Sequence, residues 1–327
     1  MTLPRRRFLG LAASATASAA MLPTASRLAR AQAYPARPVR VIVGFPAGYA
    51  PDILARMLGE WLSARLGAPF IIENRPGAGS AIGTEAVVNA APDGYTLAMV
   101  ILSNALNATL TSNLKYDFGR DLAAVAGVAN APFLMLVNPE VPANTVPELI
   151  AYAKANPGKI NMASGGNGTS THVFGELFKM MTGVDMVHIP YRGSYMPDLL
   201  GGQTQVLFGP IPQTIAQVRA GKLRALGVTT PKRLDFLPDI PAIGEFVPGY
   251  EAVGWYGMSA PKNTPPEIVD RLNTEINAAL ADPKIKERLV GLGVEPMPMR
   301  PAEFAAFIGR DIEKWAKVIK FAGIKPE

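Results

Sequence analysis

Three glycine-rich segments, each placed between an apolar run and a helical pattern, are the parts of this sequence best suited to bind a ligand. They cover residues 45–52, 74–80 and 164–170. Backbone N–H groups at the start of a helix have no partner inside the helix, and the helix dipole favours negative charge there. Glycine also occurs in ordinary turns, so one such loop would be weak evidence. Three loops in equivalent positions of the pattern predict an anion site.

Polar side chains in and beside these loops could add hydrogen bonds to a bound anion. Arg75 and Arg192 flank glycine turns and could contact a carboxylate directly, although arginine also commonly braces surface loops. His172 and His188 are expected to be satisfied by backbone and core neighbours rather than by a ligand. The candidate side chains are Ser80, Ser103, Asn104, Ser164, Asn167 and Thr169.

The sequence motifs of nucleotide-binding, metal-binding and catalytic sites are absent. The loops contain no nucleoside triphosphate pattern, and Ile82 stands where a dinucleotide loop would need a third glycine after Gly77 and Gly79. The chain has no cysteine and two histidines, which excludes thiol nucleophiles and leaves no metal-ligand spacing. The nucleophile motif G-x-S-x-G is absent. We therefore predict no catalysis, no metal and no cofactor.

Alternating strand and helix patterns position the loops. Apolar runs at 39–43, 70–72 and 95–101 predict strands, and the helical spacing between them predicts a β-α-β-α-β unit with a parallel sheet. Ligands of such sheets bind outside the carboxyl ends of the strands, where the loops lie. A similar unit begins near 133–137.

The last third of the sequence predicts that the chain returns to its first domain. One strand at 252–259 is followed by three helical patterns and no further strand. We predict an α/β fold of two doubly wound domains with a ligand cleft between them. Two chain crossings would act as the hinge. Domain 1 is predicted to comprise residues 34–132 and 255–327, and domain 2 residues 133–254.

The N-terminal segment, residues 1–33, has the pattern of a bacterial export signal. Arg5 and Arg6 precede an apolar, small-residue stretch at 10–22, and Ala31 and Ala33 form an A-x-A cleavage pattern. A membrane anchor is the alternative, but the apolar stretch is short and weakly apolar. We predict a twin-arginine signal cleaved near Ala33 and a periplasmic location.

Removal of this segment changes the charge of the protein. The full chain carries 32 basic and 26 acidic residues, and the segment 1–32 contains five arginines and no acid. The remainder therefore has 27 basic and 26 acidic residues and is nearly neutral. A basic surface of the kind that binds nucleic acid is not expected, so we predict no nucleic-acid partner.

Several longer motifs stand out in the sequence, at 72–79 (IENRPGAG), 163–169 (ASGGNGT) and 188–193 (HIPYRG), with support from 92–97, 220–226 and 237–241. They make the sequence similar to one family, the substrate-binding receptors of tripartite tricarboxylate transporters, also called Bug receptors. The similarity spans nearly the whole chain after the export signal. It implies a type II periplasmic-binding fold without catalysis, a small organic carboxylate ligand such as a dicarboxylate, tricarboxylate or aromatic acid, and a partner in the membrane permease subunits.

The resemblance also implies which residues hold the ligand carboxylate. Those of domain 1 come from the first loop and from the ends of the next strands, and those of domain 2 from the third loop and the segment after it. The implied ligand-binding residues are Ala47, Gly48, Tyr49, Ser80, Ser103, Asn104, Ser164, Asn167, Gly168, Thr169, Tyr191 and Asp198.

The sequence departs from the family pattern at two places. Ala47 and Tyr49 replace a proline and a glycine of the usual first loop, and the segment between Gly193 and Asp198 is shortened and contains Tyr195. Tyr49 and Tyr195 could add ring surface to the cleft, which would favour an aromatic or longer carboxylate. Tyrosines that are simply exposed on loops are the alternative.

Two other functions are compatible with parts of this pattern. A periplasmic sensor that reports a ligand to a membrane kinase would use the same fold and the same cleft. A secreted enzyme acting on small acids is disfavoured because the sequence lacks a nucleophile motif and paired carboxylates with a histidine base.

Overall fold

Two β-sheets organise residues 34–325, the part of the chain that the computed structural model describes. The export-signal prediction for residues 1–33 lies outside these residues. None of the described helices is both long and apolar enough to cross a membrane. The strands are β1 (Val39–Val43), β2 (Phe70–Asn74), β3 (Thr96–Ile101), β4 (Leu122–Ala131), β5 (Phe133–Val137), β6 (Ile160–Ser164), β7 (Met186–Pro190), β8 (Val206–Pro210), β9 (Arg224–Val228), β10 (Gly254–Pro261) and β11 (Glu295–Pro296).

Helices connect these strands and cover the sheets. Short 3-10 turns at Ala78–Ser80 and Ile243–Glu245 add to them. The helices are α1 (Ala50–Leu66), α2 (Ala81–Val88), α3 (Leu102–Leu110), α4 (Val146–Ala155), α5 (Ser170–Thr182), α6 (Met196–Leu200), α7 (Ile211–Arg219), α8 (Pro266–Ala281), α9 (Pro283–Gly291) and α10 (Pro301–Phe321).

Each sheet mixes parallel and antiparallel strands. The first has the order β11-β4-β10-β3-β1-β2, and the second has the order β7-β6-β8-β5-β9. β1 pairs in parallel with β2 and β3, as the β-α-β-α-β pattern predicted. β10 runs antiparallel to β3 and β4, and β5 runs antiparallel to β8 and β9. The predicted parallel unit is therefore confirmed, and antiparallel strands complete each sheet.

Two strands and one helix of the structure were not predicted from the sequence. β4 is ten residues long, but its alanine- and glycine-rich sequence lacks the β-branched residues by which strands are recognised. α3 covers nine residues, among which Leu102, Leu106 and Leu110 recur at helical spacing. The two-residue strand β11 pairs with β4, so the end of the chain does contribute to the first sheet.

A buried carboxylate joins the last helix to β10 of the first sheet. Asp311 on α10 accepts a hydrogen bond from Trp255 Nε1 at 2.7 Å and from Trp315 Nε1 at 2.9 Å. Burial raises the pKa of Asp311 above its usual range, although the two indole donors oppose this effect. The Trp315 ring stacks on Phe174 of α5 with 5.2 Å between ring centroids. Asp311 thus fixes α10 between β10 of the first sheet and α5 beside the second.

Replacement of Asp311 by alanine tests this connection. The variant Asp311→Ala leaves two buried indole N–H groups without an acceptor, and it should lower the free energy of unfolding by roughly 2–4 kcal/mol. The neighbouring exposed variant Glu313→Ala is the control and should stay within about 0.5 kcal/mol of the parent. Denaturant unfolding measures both, and equal stabilities of the two variants would contradict the assigned role of Asp311.

Candidate functional site

A cavity of about 340 Å³ lies between α3 and the loop that precedes α5. Residues of the second glycine-rich loop form one wall, residues of the third form another, and the end of the chain after α10 contributes a third. The two loops therefore meet across one cavity. The lining residues are Ala78, Gly79, Ser103, Leu106, Asn107, Leu110, Thr111, Asn167, Gly168, Thr169, Ile324 and Lys325.

Four of the predicted ligand-binding residues line this cavity: Ser103, Asn167, Gly168 and Thr169. Ser103 belongs to the first turn of α3, and the other three immediately precede α5. The cavity thus brings Ser103 together with residues that follow it by 64 to 66 positions, because α3 follows β3 of the first sheet while α5 follows β6 of the second.

Several other predicted residues are buried and hydrogen-bonded to the protein. Asn104 is 1 % exposed, and its Oδ1 accepts the Ile101 amide at 2.8 Å while its Nδ2 donates to Thr84 Oγ1 at 2.8 Å. Ser80 is 2 % exposed and is not among the residues that line the cavity. Ser164 is fully buried. These three side chains are therefore buried in the protein rather than exposed in the cavity.

The first glycine-rich loop lies outside the cavity lining. Ala47, Gly48 and Tyr49 are exposed, and the Tyr49 ring lies 6.4 Å from that of Phe45. Tyr49 precedes α1, and Asp52 is the third residue of this helix.

Asp52 nevertheless organises this first loop. Its Oδ2 accepts the Gly48 amide at 2.9 Å, and its Oδ1 accepts Asn74 Nδ2 at 2.9 Å. Burial would raise the pKa of Asp52, but the hydrogen bonds from Arg56, Gly48 and Asn74 outweigh it and lower the pKa below its usual range. The Gly48 amide is therefore already engaged by a charged carboxylate.

The start of α5 carries backbone donors that the protein does not use. The amides of Gly165, Gly166 and Gly168 donate to Thr171 Oγ1, Ser164 Oγ and His172 Nδ1, respectively. Within residues 34–325, three amides of the same loop and first turn donate to no protein acceptor. These are the amides of Asn167, Ser170 and Thr171.

The third-loop backbone depends on glycine at two positions. Gly166 has φ of +119° and Gly168 has φ of +70°, in the region that side chains disfavour. A Cβ added at Gly168 would collide with the side chain of Leu110 on α3. Close contact between this loop and α3 therefore requires glycine.

Tyr191 and Asp198 form a pair away from the cavity. The Tyr191 hydroxyl donates to Asp198 Oδ2 at 2.6 Å, and Tyr191 packs against the apolar cluster of the second sheet. Burial and the neighbouring carboxylate raise the pKa of Tyr191 to about 12. Tyr195 donates to Gln213 Oε1 at 3.0 Å and joins the same cluster. These contacts hold the segment after β7 in place.

Charge is sparse in the cavity. Lys325 is the one charged residue among its lining residues, and no acid is among them. Arg75 is paired with Glu73 at 2.6 Å, and Arg192 is exposed. The cavity therefore suits an anion better than a cation.

Sequence reasoning missed the α3 face of this cavity. Asn107 Nδ2 donates to the carbonyl oxygens of Ala78 at 3.1 Å and Gly79 at 2.9 Å, which ties α3 to the second loop. Leu106 and Leu110 supply apolar surface. Their helical spacing after β3 was the available signal, and recognition of α3 would have placed them beside Ser103.

Comparison with known protein families decides the class of protein to which this site belongs. The model of the tripartite tricarboxylate transporter family receptor (TctC) matches residues 54–324. The chain belongs to this family. Its members are periplasmic solute-binding receptors, so the chain is a receptor rather than an enzyme. The fold of this receptor is the α/β fold of the TctC-type periplasmic binding proteins.

Individual relatives cover nearly the whole receptor. Protein BugT of Bordetella pertussis is 36 % identical over 300 residues, which is 90 % of this chain and 92 % of BugT. The structure of R. palustris Rpa4515 with adipate has 34 % identity and a TM-score of 0.75, and covers 90 % of this chain and all of that one. MatC from Rhodopseudomonas palustris with bound malate has 29 % identity and a TM-score of 0.70, with coverage of 88 % and 100 %.

Replacement of Gly168 tests the packing of the third loop on α3. Gly168→Ala introduces a Cβ at positive φ against Leu110 and should lower the free energy of unfolding by about 1–3 kcal/mol. Gly193→Ala is the matched control, because a Cβ there meets nothing within 4 Å and the backbone is not in the left-handed region. Denaturant unfolding compares them, and a Gly168 variant as stable as the control would show that the loop does not need glycine.

Proposed function

We propose that this receptor captures a small organic carboxylate in the cavity between α3 and α5 and delivers it to the membrane permease of a tripartite tricarboxylate-type transporter. The observation that carries the proposal is the set of unused amides at Asn167, Ser170 and Thr171, at the start of a 13-residue helix beside this cavity. Such donors favour negative charge. Lys325 adds the one charged side chain of the lining.

The cavity lining indicates a ligand with both polar ends and an apolar middle. Ser103, Asn107, Thr111, Asn167 and Thr169 supply polar groups. Leu106, Leu110 and Ile324 supply apolar surface. A volume of about 340 Å³ is at the small end of ligand pockets. A dicarboxylate with a short hydrocarbon spacer fits this description, and the relatives with adipate and malate support that class.

The predicted ligand-binding residues that do not line the cavity would take part in binding when the two domains close on the ligand. We assign residues 34–132 and 255–327 to one domain and 133–254 to the other, with crossings between β4 and β5 and between β9 and β10 as the hinge. Ala47, Gly48 and Tyr49, together with Ser80, Asn104, Ser164, Tyr191 and Asp198, would then shape the cleft as its walls approach each other. Export by residues 1–33 would place the receptor in the periplasm.

A thermal-shift screen tests the ligand class. Adipate, malate, citrate, benzoate and terephthalate are compared with adipamide, which has the shape of adipate without its charge. A ligand that binds only the folded protein at 100 times its Kd stabilises it by about 2.7 kcal/mol, so at least one acid should raise Tm by several degrees and adipamide should not. Equal shifts with adipate and adipamide, or no shift with any acid, would reject carboxylate binding.

A preference for terephthalate over malate would support a role of Tyr49 and Tyr195.

Replacement of Lys325 tests the second charge of the ligand. Lys325→Gln should weaken binding of adipate about fivefold, because a partly exposed ion pair contributes about 1 kcal/mol. Binding of a monocarboxylate such as hexanoate should change less. Lys320→Gln, an exposed lysine of α10 outside the cavity lining, is the control. Titration calorimetry gives the Kd values, and equal losses for adipate and hexanoate would place Lys325 away from the second carboxylate.

A further inference from the structure

Two stacked histidines lie directly beneath the third glycine-rich loop. His172, in the first turn of α5, is 4 % exposed, and His188 on β7 is half-buried. Their rings are nearly parallel, with an interplanar angle of 6° and 3.5 Å between centroids. His172 is hydrogen-bonded to Gly168 of the loop, and His188 is hydrogen-bonded to Ser164, the first residue of the loop. The two rings therefore help to hold the loop.

The contacts of His172 determine its protonation state in this structure. Its Nδ1 accepts the Gly168 amide at 3.1 Å, so that nitrogen carries no proton. The ring proton is therefore on Nε2, which faces Glu176 Oε1 at 3.6 Å. Lys179 Nζ donates to the same oxygen at 2.8 Å. Burial would raise the pKa of Glu176, but His172 and Lys179 outweigh it and lower that pKa, so Glu176 is ionised.

His188 holds the other side of the loop. Its Nε2 lies 2.5 Å from Ser164 Oγ, which in turn accepts the Gly166 amide at 3.1 Å. Burial and the adjacent His172 lower the pKa of His188 to about 4. His188 therefore stays neutral at ordinary pH, and its Nε2 shares a hydrogen bond with the Ser164 hydroxyl.

A proton taken up by His172 would have to bind Nδ1, because Nε2 already carries one. Nδ1–H would then point at the Gly168 N–H, and two donors would face each other across 3.1 Å. Gly168 is buried and packs against Leu110, so its amide has little room to turn away. The loop would have to shift, and the neighbouring amide of Asn167 would shift with it.

We propose that His172 is a positioning residue whose neutral ring holds the loop in its anion-binding shape, so that protonation of this ring weakens carboxylate binding. The inference rests on the proposed function, since it concerns the same amides. Because the ligand-binding form excludes the extra proton, uptake of that proton lowers the affinity for the carboxylate.

The surroundings of the ring contain few competing charges. Glu176 and Lys179 lie on its own helix, and β7 contributes the neutral His188. β6 contributes Ser164, and α3 consists of uncharged residues only. α10 contacts α5 through Trp315 on Phe174, and its Asp311 is engaged by two indoles.

Adipate affinity measured from pH 8 to pH 5.5 tests the proposal. The Kd of the parent should rise at least fivefold over this range. His172→Asn offers an amide oxygen near the position of Nδ1 and has no titrating ring. It should bind more weakly than the parent at pH 8 but lose the pH dependence. Protonation of the ligand is common to both proteins and cancels in the comparison.

His188→Gln is the matched control. It keeps an acceptor for Ser164 and leaves His172 in place, so its Kd should be offset from that of the parent by the same factor at every pH. The same pH slope in His172→Asn as in the parent, or a parent without a slope, would overturn the proposal.

A measurement without ligand separates this inference from the proposed function. If no carboxylate binds at pH 8, the proposed function fails, and the loop is followed by deuterium exchange of the peptide that contains residues 164–172. Exchange in the parent relative to His172→Asn should increase as pH falls from 8 to 5.5. An unchanged ratio would show that His172 does not position the loop.

Discussion

Backbone donors without partners at the start of α5 are the constraint from which the binding site follows. Side chains of the loop and of the first turn of α5 accept the amides of Gly165, Gly166 and Gly168. Within residues 34–325, the amides of Asn167, Ser170 and Thr171 have no protein acceptor. These groups carry the positive end of the helix dipole. In the proposed function, selectivity for an anion would come from the main chain and would need few charged side chains, in agreement with a cavity whose lining contains a single lysine.

The loop keeps this arrangement because rigid elements hold it on both sides. Leu110 of α3 packs where a side chain at Gly168 would lie, and Asn107 of the same helix holds the carbonyl groups of the second loop. His172 and His188 hold the loop from beneath. α3 thus contacts both loops, and a change in its position would alter both walls of the cavity together.

The family of the protein and much of its fold could be predicted from the sequence. Glycine loops between strand and helix patterns identified the third loop, and its residues Asn167, Gly168 and Thr169 do lie at the cavity. Strands rich in β-branched residues, such as β1, were recognised. The alanine-rich β4 was missed, because its own residues have little strand preference and it is held in the sheet by pairing with β10 and β11. The domain boundaries and the roles of the site residues remain predictions.

The sequence by itself determined which backbone segments could bind an anion, because glycine spacing and helix starts are local properties of the chain. Only the tertiary structure decided which polar groups remain available. Asn104 and Asn107 lie three residues apart on one helix, yet Asn104 is used within the core while Asn107 reaches the cavity. The amide of Gly168 is likewise taken by His172. Such differences depend on side-chain direction and on partners far away in sequence, which no local pattern contains.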